Sequence, residues 1–213
     1  MATSGEAEDS RAWSVLIVCT ANICRSPVAA GLLEVHMAGT GISVSSAGTR
    51  ALIDHPPVPE AVDYVRRRTG TTPRTRGTPL TAQLVRGRGL ILTMTEQQRA
   101  EVVRIAPGAL RRVFTLRQFV RLAPHLPPGA SYATVCMLAE GVARCRALAG
   151  PARDGEDDIV DPYGGPPTLY EESFALIARA SAGIAAVLRA RLAVGDTERA
   201  SPVGDPEPMP PAW

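Results

Sequence analysis

The stretch that most constrains this chain is Ser14-Val-Leu-Ile-Val-Cys19, together with the residues just after it. An almost continuous apolar run of six residues suits a central strand buried on both faces. A short polar loop over 20–26 comes next, and Pro27 fits the first turn of a helix. Apolar positions continue at helical spacing over 28–37. A strand, a tight loop and a helix in immediate succession commit the chain to an α/β architecture before any other segment is read.

The rest keeps that rhythm. Strands are predicted over 41–45, 89–94 and 112–116. Helices are predicted over 57–68, 95–105 and 131–148, with a long final helix over 168–192. Such alternation argues for an open parallel sheet with helices on both faces, in a single domain over 13–194. Residues 1–12 lack apolar periodicity and 195–213 are proline-rich, so both are expected to be disordered tails. The chain has 213 residues, 45% hydrophobic, enough for one normal core. No run approaches the roughly 20 apolar residues of a membrane span, and residues 1–11 lack the pattern of a signal peptide. A cytoplasmic protein without membrane partners is the expectation. The net charge of +2, all of its basic part arginine, makes no case for nucleic acid.

Cys19-Thr-Ala-Asn-Ile-Cys-Arg25-Ser26 is the segment that carries chemistry. N–H groups of Thr20, Ala21, Asn22, Ile23 and Cys24 can curl into an anion-binding nest at a helix N-terminus. Arg25 adds a planar fork for two phosphate oxygens. Such surroundings favour the thiolate of Cys19, the nucleophilic form. Ser26 can donate a hydrogen bond to that thiolate. Asn22 suits a left-handed backbone position in a tight loop. Expelling a poor leaving group needs an acid, and Asp161-Pro162-Tyr163 offers one. Pro162 stiffens its loop, and Tyr163 offers an aromatic wall to a flat substrate.

Together these motifs resemble the low-molecular-weight protein tyrosine phosphatase family, over roughly residues 13–118 and 158–194. Ser46-Ala-Gly-Thr49, Leu90-Ile-Leu-Thr-Met94, Arg112-Val-Phe and the helix with Tyr170 share in the likeness. The resemblance implies a flavodoxin-like sheet, no metal and no organic cofactor. It implies Cys19 as nucleophile, Arg25 as phosphate binder, Asp161 as general acid and base, and Ser46 as a brace for Asn22. The implied substrate is a phosphotyrosine-containing protein or a small aryl phosphate. For Cys24, reversible pairing with Cys19 and a packing role both stand open. The chain departs from the family at Ala21, where glycine is usual, and at Leu52, where an aromatic pocket wall is common. Thr75 aligns nearest to a histidine that many members have. Residues 119–157 form an insert before Asp161, expected to be an extra helical segment.

Two other enzymatic readings use the same loop: a thiol-dependent arsenate reductase and a phosphatase for a small non-protein phosphate ester. A phosphopeptide-binding module without turnover is a third alternative. The arsenate reading needs Cys136 and Cys145 as a mobile relay. Nine residues apart on one helix, they fall on opposite faces about 13 Å apart, so they read as two buried helix thiols unless Gly141 breaks the helix. His36, His55 and His125 are scattered and read as surface or packing residues. The clusters Arg66-Arg67-Arg68 and Arg111-Arg112 read as solvated faces.

Overall fold

The computed structural model describes residues 12–192. The expected tails over 1–12 and 195–213 lie outside them, apart from Ala12. Four parallel strands form one sheet in the order β2-β1-β3-β4. They are β1 (Ser14–Cys19), β2 (Ser43–Gly48), β3 (Leu90–Thr93) and β4 (Val113–Thr115). All six residues of β1 are buried, as a strand flanked by two neighbours and covered on both faces must be. Its alternation sorts the core. Val15, Ile17 and Cys19 face the larger cluster; Leu16 and Val18 face the smaller.

The larger cluster is closed by α1 (Arg25–His36), α2 (Pro59–Thr69), α5 (Leu116–Leu122), α6 (Val135–Arg144) and α8 (Pro167–Arg191). Val85 of α3 (Ala82–Arg86) and Val102 of α4 (Glu96–Ile105) close the other face. The expected two-sided layering is therefore present. Helix α8 is long and apolar enough, by length and composition, to cross a membrane. Its Phe174, Ile177, Ile184 and Leu188 are instead packed into the core of the domain.

Several expectations need correction. The strand expected over 41–45 lies later, at Ser43–Gly48, so Ser46-Ala-Gly belongs to it. The helix expected over 131–148 is two pieces, α6 and α7 (Arg146–Ala149), parted at Cys145. Gly141 does not break α6. A Cβ there would come within 2.6 Å of the Tyr132 hydroxyl, so glycine admits the ring against the helix. Cys145 is buried as expected, but Cys136 is only half-buried. Arg112 is not on a solvated face; it is 4% exposed and donates to the Arg88 carbonyl. The other cluster does lie at the surface: Arg66 pairs with Asp63, Arg67 with Glu171, and Arg68 stacks on Tyr64.

The chain leaves β1 through α1 to reach β2 on one side, then crosses back to β3 on the other. The C-terminal edge between β1 and β3 is thus the switch point at which open α/β sheets bind ligands. Residues 20–24 lie there.

Candidate active site

Asn22 organises the loop. Its backbone is left-handed, with φ 58°, the conformation its short polar side chain tolerates better than most residues. That turn brings its N–H to 3.3 Å from Cys19 Sγ. Its buried side chain is bonded through both of its polar atoms. Oδ1 accepts from Thr78 N at 2.9 Å, while Nδ2 donates to Ser26 Oγ at 2.8 Å and to Ser46 Oγ at 2.9 Å. Because Ser26 Oγ accepts from Asn22, its own hydrogen is free to point at Cys19 Sγ, 3.0 Å away. The sulfur thus lies within reach of two donors, Ser26 Oγ and Asn22 N. Ser46, bonded to Asn22, passes the network on to Thr75, 2.9 Å away.

The helix after the loop starts at Arg25 with no side-chain cap and no acidic residue in its first turn. Its free N–H groups and positive end therefore face the loop interior. Arg25 is 3% exposed. Its Nη1 donates to the Ile159 carbonyl at 3.0 Å, and Nη2 pairs with Asp161 Oδ2. Residues 19 to 26 and Asp161, separated by more than 130 positions in sequence, meet through this one guanidinium. The carboxyl group of Asp161 is half-exposed, so solvent and substrate can reach it. Pro162 is buried, Tyr163 N donates to Asp161 Oδ1 at 3.3 Å, and the Tyr163 ring is 61% exposed.

Each loop residue has a separate fixture. Gln98 Nε2 donates to Thr20 Oγ1 at 3.0 Å, while its Oε1 accepts from Met94 N. Ala21 O accepts from Leu52 N, and Ile23 O accepts from Val58 N. Leu52 and Ile53 are exposed beside the loop and give the mouth an aliphatic rim. Gly48 lies so close that a Cβ there would sit 2.5 Å from the Thr20 carbonyl oxygen. Cys24 is buried beneath the loop, and burial, with Cys19 nearby, pushes its thiol up to about 12. It stays protonated at neutral pH while Cys19 has the donors.

Sequence reasoning missed Gln98 and the anchorage of the acid loop. The signal for Gln98 was present as Thr95-x-x-Gln98, a capping box. Thr95 does cap Gln98 N, but the glutamine side chain reaches past the cap: its Oε1 accepts from Met94 N, one residue earlier, and its Nε2 donates to Thr20 in the loop over 20–24. The acid loop is held residue by residue. Arg121 makes two bonds to Asp157, which is 4% exposed, and Asp158 Oδ1 accepts from Glu96 N at the start of α4. Ile159 N donates to Met94 O, and Ser173 donates to Val160 O. The insert therefore ends as the support of the acid loop rather than remote from it.

The family model described as low molecular weight phosphotyrosine protein phosphatase matches residues 14–126. The chain belongs to this family. The protein-tyrosine-phosphatase Etp of Escherichia coli strain K12 is 39% identical over 107 residues, 50% of this chain and 71% of Etp. The protein-arginine-phosphatase of Geobacillus stearothermophilus is 30% identical over 158 residues, 74% of this chain and 84% of that protein. The structure of the tyrosine phosphatase Wzb from Escherichia coli K30 with sulphate superposes at TM-score 0.59, with 26% identity, over 83% of this chain and 98% of Wzb. The fold is accordingly the flavodoxin-like one of these phosphatases, and the chain is an enzyme of their class.

Proposed function

We propose that this phosphatase hydrolyses phosphotyrosine in proteins through a phosphocysteine, with the reaction confined to Cys19, Arg25, Ser26 and Asp161. The supporting observation is the single guanidinium of Arg25, which joins the thiol loop at the start of α1 to the Asp161 carboxyl group. Arg25 and the loop N–H groups hold the phosphate oxygens and stabilise them in the transition state. Cys19 Sγ attacks phosphorus and the P–O ester bond breaks. The departing phenolate takes the proton of Asp161 as it leaves. Water then attacks the phosphocysteine, giving its proton to the Asp161 carboxylate. The S–P bond breaks and the thiolate returns to the donors on Ser26 and Asn22. A cytoplasmic setting is part of the proposal, since the mechanism needs a reduced Cys19.

A second reading rests on the protein-arginine-phosphatase relative and on the rim. Leu52 and Ile53 offer aliphatic surface beside the loop, and Tyr163 is the exposed aromatic side chain of the acid loop. A phosphoguanidinium substrate would use the same loop with a nitrogen leaving group. The arsenate reading loses support from geometry. Tyr132 N donates to Arg191 O at the C-terminal end of α8, whereas the acid loop leads into its N-terminal end. A 25-residue helix is about 37 Å long, so Cys136 stands by the end remote from Cys19. Cys145 donates to the Gly141 carbonyl, and burial pushes its thiol up, which makes it a poor exchanging partner.

A panel of phosphotyrosine peptide, phosphoarginine peptide, phosphoserine peptide and a sugar phosphate tests the substrate. The highest kcat/KM is expected for phosphotyrosine. A higher value for phosphoarginine selects the second reading, and a preference for the sugar phosphate overturns both.

A further inference from the structure

A groove of about 370 Å³ runs along the outer edge of β2, behind the phosphate loop. Its charged lining is Arg74, Arg76, Arg88 and a single Glu34. The larger cleft of about 570 Å³ beside the insert is different in kind. There Arg121, Arg146 and Arg153 face four carboxylates, those of Glu96, Asp154, Asp157 and Asp158. Of the two, the groove has the unbalanced positive charge.

Arg88 is the least satisfied of its residues. It is half-buried, forms no ion pair with a described residue, and its side chain donates only to the neighbouring Gly87 carbonyl among the described residues. Its Nε is buried with no partner. A desolvated guanidinium without a counter-charge is costly, and burial accordingly lowers its pKa. The groove also bears hydroxyls from Ser45, Ser46, Thr75 and Thr78, with Leu84 and Val44 as apolar surface. Two of these residues hold Asn22: Ser46 accepts from its amide, and Thr78 N donates to it.

We infer that this groove is a second anion site, one that takes a small molecule bearing a phosphate group and whose occupancy is coupled to the phosphate loop through Ser46, Thr78 and Asn22. Arginine forks suit phosphate oxygens, and the volume falls within the range of small-molecule sites. Coupling is reciprocal, so anything that alters how Thr75 or Thr78 sits alters the loop, and the loop's occupancy alters the groove. The effect is that of an effector site built on the back of the catalytic loop.

The test is calorimetric titration of the full chain with inorganic phosphate. Wild type is expected to bind two phosphates, and Arg25→Ala, which removes the loop's fork, is expected to keep one. Adding Arg74→Ala and Arg88→Gln should weaken that remaining site by about tenfold or more, as loss of charge-assisted bonds to phosphate does. The same two changes in the wild-type background should leave a single site, so the result does not depend on Arg25→Ala folding. An alkyl phosphonate as second probe separates the sources: tighter binding than phosphate points to an organic ester, equal binding to free phosphate. One site in wild type, or a second site indifferent to Arg74 and Arg88, overturns the proposal. For the coupling, phosphate should inhibit aryl phosphate hydrolysis with a non-competitive component that Arg74→Ala with Arg88→Gln removes. Purely competitive inhibition of wild type overturns that half. The binding arms need no turnover, so they fail or succeed independently of the phosphatase reading.

Discussion

At Asn22 a backbone requirement and a side-chain requirement fall on one residue. The left-handed turn costs roughly 1–2 kcal/mol for a residue with a Cβ, and the three side-chain hydrogen bonds offset it. Asn22→Ala keeps the strain and loses the bonds, leaving Thr78 N and the two serine hydroxyls without their partner. A fall of at least tenfold in kcat, with less change in the binding of phosphate, is expected from steady-state kinetics. Cys24 gives a pH prediction. Its thiol is pushed from the ordinary 9.0 to about 12 in the folded chain. Between those values the unfolded chain binds fewer protons, so stability falls as pH rises through that window and is unaffected below it. One such group contributes a slope of about 1.4 kcal/mol per pH unit. Denaturant melts of wild type and Cys24→Ala from pH 8 upwards should therefore converge, because the variant lacks that loss. Parallel curves would show that Cys24 does not carry it.

Among the elements, the strand ends and the acid loop carry the next predictions. Gly48 ends β2 against the Thr20 carbonyl, and Gly77 meets the Leu52 carbonyl so closely that a Cβ would lie 1.7 Å from it. Both obstacles are backbone atoms that cannot swing away. Gly48→Ala should displace the phosphate loop and lower kcat/KM by about a hundredfold, while Gly77→Ala should lower the melting temperature sharply. Arg121→Ala leaves the buried Asp157 unpaired, a loss of about 3–5 kcal/mol where a pair is truly buried and less here because Arg121 is partly exposed. Its readout is the melting temperature, together with a loss of activity through the acid loop. The strands β1, β3 and β4 could be read from sequence because each is a short, mostly apolar run, whereas β2, Ser-Val-Ser-Ser-Ala-Gly, is half polar and lies two residues later than expected. The helix α3, five residues long, was not readable, because it has too few turns for a period and is held by the packing of Val85. The break at Cys145 was equally hidden, because no proline or glycine marks it.

For the whole molecule, the order β2-β1-β3-β4 puts a strand-end cysteine at the sheet's switch point, and α8 brings the acid loop back over it from the far end of the sequence. The thiol loop was legible because its residues are contiguous. Asp161 was legible only through likeness to a family, since nothing in its spacing relates it to Cys19; Arg25 and Ile159 supply that relation in space. Gln98 and Arg121 escaped because their partners lie in other elements. In kinetics, Asp161→Ala should slow turnover by about 10² to 10⁴, most for aryl phosphates with poor leaving groups. Equal effects on good and poor leaving groups would remove Asp161 from the acid role. The central claim is the covalent step on Cys19, and the direct test is acid quench of the enzyme during turnover of an aryl phosphate, followed by mass spectrometry of its peptides. One phosphoryl group on Cys19, absent together with all activity in Cys19→Ser, is the result predicted; turnover by Cys19→Ser, or a phosphoryl group on another residue, would contradict it.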